Sequence, residues 1–514
     1  MKVLPVRQNV RVNDCFVNSR INSANPDKSK VPSFKSAKQP AHSYPANYYI
    51  SRINSSKNDS NKYPKDVKYR EQLLENAGLN PENSYKLRPI AGPQEILDIM
   101  KDFDNKPEVF SVGKDFENVK NRSMRANLHM HTLASDGSLS VAELLDKAAE
   151  YADKVKNKNP HIAVPFVVAI TDHDTTEGAQ EAIKVISEKP EKYKNLRVIL
   201  GAEITTFNNI APNIVKAPTN SHVLLYGIDP NEKIFKSFID ETKNKKSNIQ
   251  NMMISKANKV YKNCFGKENF YSTAEAKYQF NPLSKNIIGI YNGVDAYLKT
   301  KAVVEEVVFK DEKLKNALVK NKVAENTDQF MEKLSEYSFA NWGKNRVRGP
   351  EVMLPAFIAS VTDISSEETE KTIREGVKSE KISKFGKELS EGISEFKVTT
   401  NPKYDYMPTF KTISDGLSGQ DNAVAGIAHP VDYLKPVKSE KDKYPFLEDL
   451  YKNFKSELKE KAKFTEAYYQ SYKPAVSEFN QNPKTQKFFA GIAKVFKFFR
   501  TGSADTHGLN IFIR

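Results

Sequence analysis

Two stretches of the chain, about 125–230 and 410–514, alternate short apolar runs with amphipathic ones, and the rest does not. "ANLHMHT" (Ala126–Thr132) reads as a strand, followed by a loop through Asp136 and Gly137 and then by "SLSVAELLDKAAEYADK". In that segment Val141, Leu144, Leu145, Ala148, Ala149 and Ala152 recur at helical spacing, and Ser140 with Glu143 forms a capping box that starts the helix. "VPFVVAI" (Val164–Ile170) is a continuous apolar run of strand length, the pattern of a strand covered on both faces. "TEGAQEAIKVISEK" predicts the next helix, "RVILGAEITT" the next strand and "HVLLYGID" another. This alternation predicts parallel βαβ units.

The pattern then breaks. From 231 to 408, segments such as "DEKLKNALVKNKVAENTDQFMEKLSEY" are charged and helical, without strand-like runs, and read as a large helical insertion. Strand character returns at "NAVAGIAHP" (Asn422–Pro430), followed by a helix around "PFLEDLYKNFKSELKEKA" and a strand at "KFTEAYY". A helix around "QKFFAGIAKVF" and the segment "FRTGSADTHG" complete the 409–514 part. Residues 1–120 form an N-terminal extension. Its polar first half, Met1 to about Tyr63, has too little apolar surface to offset its ordering entropy and is expected to be disordered or a linker. Its second half holds short helical candidates such as "PQEILDIMKDF", opened by Pro93, with no legible role.

Composition narrows the classes. With 514 residues a sizeable core is possible, and a net charge of +15 suits polyanions or phosphorylated ligands. Cys15 and Cys264 form no metal or redox spacing. No run approaches the roughly eighteen apolar residues of a membrane span, and the first residues lack the apolar core of a signal peptide. A cytoplasmic protein without a membrane partner is the expectation.

The histidines carry the chemistry. Six of the eight, His129, His131, His173, His222, His429 and His507, sit at or beside the ends of predicted strands. Asp136, Asp172, Glu203 and Asp505 occupy equivalent places, whereas His42 and His161 lie in a polar tract and a loop. In parallel α/β folds, side chains at the C-terminal strand ends converge on one face, so residues spread over most of the chain would meet in one site. Histidines with carboxylates suit divalent zinc, manganese or iron.

In order along the chain, "NLHMHTLASDG", "AITDHDTTEG", "LGAEI", "HVLLYGID", "GIAHP" and "SADTHG" resemble the motifs of the polymerase and histidinol phosphatase (PHP) superfamily of metal-dependent phosphoesterases. The segments up to "AITDHDTTEGAQEA" look most like its branch of nucleoside 3',5'-bisphosphate phosphatases and 5'→3' exoribonucleases. The resemblance implies an α/β fold, a distorted (β/α)7 barrel, here interrupted by the insertion, with two or three divalent ions (Mn, Zn or Fe). It implies that His129, His131, Glu203 and Asp505 hold one ion and that Glu203 bridges to a second held by His222 and His429. Asp136, His173 and His507 would hold a third. Asp172 would orient a ligand histidine, and Glu466, in "FTEAYY", is a further catalytic candidate. The implied activity is hydrolysis of phosphate esters, of nucleotides or short RNA, by metal-activated hydroxide. The Arg-Pro-His motif of that branch is missing, with only a loose echo in "RVRGPEVMLPAFIA" (Arg346–Ala359). Two alternatives therefore stand beside it: a small-metabolite phosphatase of the histidinol-phosphate type, and a PHP-like scaffold that binds nucleic acid or a protein partner.

Overall fold

Seven strands form one mixed sheet in the order β1 to β7, each paired with its neighbours in sequence. They are β1 (Ala126–Asn127), β2 (Phe166–Ile170), β3 (Leu196–Asn208), β4 (Thr219–Tyr226), β5 (Val424–Ile427), β6 (Ala462–Glu466) and β7 (Phe499–Thr501). The computed structural model describes residues 63–105, 126–158 except 136 and 138, 166–244 except 217, parts of 301–338, and 408–507 except 470–473 and 504. All of these fall within one compact unit, Ala46–Arg514. Asp136, His42, His161 and "RVRGPEVMLPAFIA" lie outside the described residues, as does most of the 231–408 segment.

The sheet is curled and barrel-like, and chain beyond its two outer strands is joined. Met130, past β1, and Thr506, past β7, form a parallel bridge, with His131 N–H donating to Thr506 O at 3.0 Å and Thr506 N–H to His129 O at 3.1 Å. β1–β2, β2–β3, β5–β6 and β6–β7 are parallel, as the alternation predicts. β4 overturns the purely parallel expectation, because it runs antiparallel to both β3 and β5. The physical reason is the connection: only residues 209–218 separate β3 from β4, too few for a crossover helix.

Strand alternation divides the apolar side chains into two cores. Phe166, Val168, Ile170, Val198, Leu200, Val223, Leu225 and Ile427 pack outward. Against them lie the buried stripes of α3 (Val141–Lys158), α4 (Glu177–Glu188) and α8 (Lys443–Leu458). The opposite faces supply a second cluster, with Val167, Ala169, Ile199, Leu224, Tyr226 and Phe464. Tyr226 and Phe464 stack at 4.4 Å between ring centres, and Gly426 makes room: a Cβ there would meet the Phe464 ring at 2.2 Å.

The N-terminal helices, without a legible role in the sequence, belong to these cores. α1 (Pro64–Asn76) contributes Tyr69, Leu73 and Leu74 to the outer one. α2 (Pro93–Asn105) places Ile96, Ile99, Met100 and Phe103 in the inner one, and Arg500 of β7 donates to Asp104 at 2.6 Å. Arg70 and Arg197 both donate to the buried Glu95, at 2.6 and 3.2 Å, tying α1, α2 and β3 together. Within the described part of the insertion lie α5 (Glu312–Lys320) and α6 (Thr327–Ser338), and α7 (Phe410–Gly416) leads back into β5. Among the described residues no helix is long and apolar enough to cross a membrane.

Two outcomes follow for stability. Phe103→Ala empties a ring-sized space in the inner core and is expected to cost about 3–5 kcal/mol, read from denaturant unfolding; an unchanged midpoint would show that α2 is dispensable. Burial beside Glu95 pushes the Asp66 carboxyl up to about 6 from 3.8. The folded state therefore holds that proton more tightly than the unfolded chain, and this site's contribution to stability falls as pH rises from about 4 to 6. Asp66→Asn should remove that slope from the difference between the variant's and wild type's unfolding free energies.

Candidate metal centre

The alternation that fills the inner core also aims the polar residues. Along β3, Glu203 shares the inward phase of Ile199. β3 runs 13 residues, so it carries Glu203 past the end of β2, where His173 bridges to it. His222 shares the phase of Leu224 and Tyr226 on β4. Because β4 is antiparallel, its beginning lies at the same rim as the ends of the parallel strands, and that puts His222 with the others. His129 and His131 need one adjustment. Leu128 joins the inner core and Met130 the outer one, so the alternation shifts phase by one residue between Leu128 and His129. "ANLHMHT" is thus a regular strand only over Ala126–Asn127, and the Met130–Thr506 bridge holds the rest extended.

Five imidazoles meet the single carboxylate of Glu203. Its Oε2 lies 3.0 Å from His129 Nε2, 3.3 Å from His131 Nε2 and 3.1 Å from His173 Nδ1. Its Oε1 lies 2.8 Å from His222 Nδ1 and 3.1 Å from His429 Nε2. Asp505 Oδ1 stands 3.5 Å from His129 Nε2 and 3.2 Å from His131 Nε2. His507 stacks on His131 with 4.1 Å between ring centres.

The donor set fits divalent cations. Glu203 Oε2 and His129 Nε2 are buried and 3.0 Å apart, yet neither makes a hydrogen bond among the described residues. Buried polar atoms left this way cost free energy unless something else takes their lone pairs. Three groups of donors each lie within 4.8 Å of one another: His129, His131 and Asp505; His173, Glu203 and His222; His131, His173 and His507. The first holds three of the four residues expected around one ion, without Glu203, and the third sets His131 beside His173 and His507, whose expected partner Asp136 is outside the described residues. In the second, His173 joins Glu203 and His222.

The electrostatics reflect that crowding. Burial alone would raise the Glu203 carboxyl, but His129, His173 and His222 outweigh it and hold it well below the usual range. Burial would likewise depress His129, yet the carboxylates of Glu203, Asp505 and Glu466 hold its imidazolium form well above the ordinary histidine value. Three non-glycine residues at this rim adopt left-handed backbone: Asp174 (φ 50°), His429 (φ 25°) and Asp505 (φ 47°). Strain of about 1–3 kcal/mol each persists only where surrounding contacts over-determine it. Exposure is one-sided: the side chains of His129 and Glu203 are buried, while that of His222 is 22% exposed.

Asp172 lies on the other face. It shares the outward phase of Val168 and Ile170, and its carboxylate accepts from Thr132 N–H (2.7 Å), Thr132 Oγ1 (2.8 Å) and Ser135 Oγ (2.6 Å). It therefore holds the chain just after His131, through Thr132 and Ser135, among the hydrogen bonds of the described residues. Gly178 leaves space for it, since a Cβ there would meet Asp172 Oδ2 at 2.0 Å. Glu466 stands behind His129, with Oε2 3.2 Å from Nδ1. Sequence reasoning passed over Asp432, Tyr469 and Ser503. Tyr469 OH lies 3.4 Å from both Asp432 Oδ2 and Asp505 Oδ2, and Asp432 Oδ2 is 3.8 Å from His429 Nδ1. Tyr469 and Ser503 carried a signal, their places inside "FTEAYY" and "GSADTHG".

Metal binding must displace the protons that these carboxylates hold on the histidines. Since His129 is pushed upward, affinity for Mn²⁺ or Zn²⁺ is expected to rise with pH through the neutral range, with proton release. Calorimetric titration in buffers of different ionisation enthalpy measures both, and a pH-independent affinity would contradict the assignment.

No family model matches the chain, and no curated protein does. Two solved structures are similar to it. One is an amidohydrolase from Chromobacterium violaceum with bound sulfate and no metal, 15% identical, with a TM-score of 0.38 over 76% of this chain and 89% of that one. The other, described as a metal-dependent phosphoesterase from Bifidobacterium adolescentis, is 17% identical, with a TM-score of 0.33 over 74% of this chain and 87% of that one.

Proposed function

We propose that the protein is a metal-dependent phosphoesterase of the distorted (β/α)7 barrel type, acting on phosphate esters of nucleotides or short RNA. One observation carries this reading: Glu203 presents each carboxylate oxygen to a different set of histidines, His129, His131 and His173 on one side and His222 and His429 on the other. A carboxylate so placed suits the bridge between neighbouring ions. With two or three divalent cations bound, such a centre supplies water acidic enough to attack near neutral pH and neutralises the oxygens of a phosphate ester.

The chain's own residues complete the arrangement. His129, His131 and Glu203 form the buried wall, and Asp505, His173, His507 and His222 stand toward the more exposed side, from which a phosphate would approach. Asp172 fixes the loop that carries Asp136, the proposed partner of His173 and His507. The net charge of +15 favours an anionic substrate, either a phosphorylated small molecule or a short nucleic acid.

The test is hydrolysis by metal-loaded protein of 4-nitrophenyl phosphate, 3',5'-bisphosphates, short RNAs and amino-alcohol phosphates. Release of phosphate from the bisphosphates or of nucleotides from RNA, stimulated by Mn²⁺ and abolished by chelator, is the expected result. Glu203→Gln should lower the rate by more than the roughly 100-fold that loss of an outer-shell partner costs. Preference for the amino-alcohol phosphates would move the assignment to a small-metabolite phosphatase. Bound metal without any hydrolysis would leave a scaffold and overturn the enzyme.

A further inference from the structure

Glu466 ends β6 on the inward phase of Phe464, fully buried, where a carboxylate is costly unless its oxygens are used. Both are. Oε2 accepts the backbone N–H of His429 at 2.8 Å and lies 3.2 Å from His129 Nδ1, while Oε1 accepts the hydroxyl of Ser503. The three partners come from three separate ligand-bearing segments: the end of β1, the end of β5 and the chain after β7.

We infer that Glu466 is a positioning residue for the metal centre: a single carboxylate that sets the tautomer of His129 and locks the segments of His429 and Asp505 to it. The inference rests on the metal-centre reading above. When His129 is neutral, the form a cation requires, a carboxylate that only accepts keeps its one ring proton on Nδ1. That leaves Nε2 bare, and Nε2 is the atom 3.0 Å from Glu203 Oε2 and 3.5 Å from Asp505 Oδ1. His429 adopts φ 25°, and the bond from its N–H to Glu466 is one of the contacts that hold it there. Ser503 is 2% exposed and two residues before Asp505, itself at φ 47°. Glu466 therefore acts through other residues, with its oxygens occupied by donors rather than turned to the reacting atoms.

Glu466→Gln keeps the shape of these bonds and removes the charge, whereas Ser503→Ala removes one bond and keeps the charge. Mn²⁺ affinity is measured by calorimetric titration of the full chain, and the ligand field by the visible spectrum after loading with Co²⁺. Glu466→Gln is expected to weaken Mn²⁺ binding about 10–100-fold and to shift the Co²⁺ bands, with cooperative unfolding of the metal-free protein retained. Ser503→Ala should show a smaller loss with the same direction of shift. Wild-type affinity and spectrum in a folded Glu466→Gln variant would overturn the inference. If that variant fails to fold, Ser503→Ala decides, and an unchanged affinity and spectrum there overturn it equally. Wild-type protein that binds neither Mn²⁺ nor Co²⁺ overturns the centre itself, an outcome visible before any variant is made.

Discussion

Everything at the rim depends on one buried carboxylate serving five imidazoles. Glu203 is 1% exposed, and its two oxygens face histidines from β1, β2, β4 and β5. A charge so buried is tolerated only when compensated, and an arrangement with one anion among five basic rings and Asp505 alongside has two compensations open to it: protons or cations. The geometry favours the second. Ring nitrogens and carboxylate oxygens gather within 4.8 Å, and the shortest buried pair, His129 Nε2 and Glu203 Oε2, does not hydrogen-bond. A cation bound there would take over the histidine nitrogens once their protons leave.

The fold supplies the conditions for that arrangement. Beneath the histidines, the stacked rings of Tyr226 and Phe464 and the apolar side of α2 pack inside the sheet. In that low-dielectric floor each charge interaction is stronger than at a surface. Tyr226 OH donates to Leu128 O at 2.6 Å, immediately before the phase shift that turns His129 and His131 inward. The left-handed residues at the rim show the counterpart of this order. Asp174 keeps φ 50° while its carboxylate accepts from Thr205 N–H and Oγ1, at 2.9 and 2.8 Å, which ties the His173 turn to β3 two residues beyond Glu203.

Much of this was legible in the sequence, and the misses have physical causes. The spacing His-x-His, the apolar run before Thr171-Asp172-His173 and the motif around Asp505 pointed to a shared rim, and eight of the nine expected ligands lie together there. The ninth, Asp136, falls outside the described residues. β4 departs from the parallel pattern because "HVLLYGID" follows "RVILGAEITT" with no helix between, and a ten-residue link favours antiparallel return. The role of Asp172 came from the resemblance alone; adjacent residues in an extended segment point to opposite faces, and its carboxylate holds Thr132 and Ser135, just after His131. α2 read as an isolated amphipathic helix; only the inner face of a curled sheet, assembled from strands far along the chain, shows what its apolar stripe covers.

The same topology fixes where the long insertion re-enters the fold. β4 begins at the rim with His222 and ends away from it at Tyr226, so the 231–408 segment departs from the far end. It returns at Pro408, whose carbonyl accepts from Phe207 N–H at 3.0 Å, and Phe410 N–H then donates to Asn208 Oδ1 at 2.9 Å. Phe207 and Asn208 are the rim end of β3, a few residues past Glu203. α7 next carries the chain back toward the start of β5. A purely structural excursion could have closed at the far end, where β4 stops and β5 starts, with a short antiparallel turn. Pro408 and Phe410 instead join the chain to the end of the strand that bears Glu203 before α7 leads to β5.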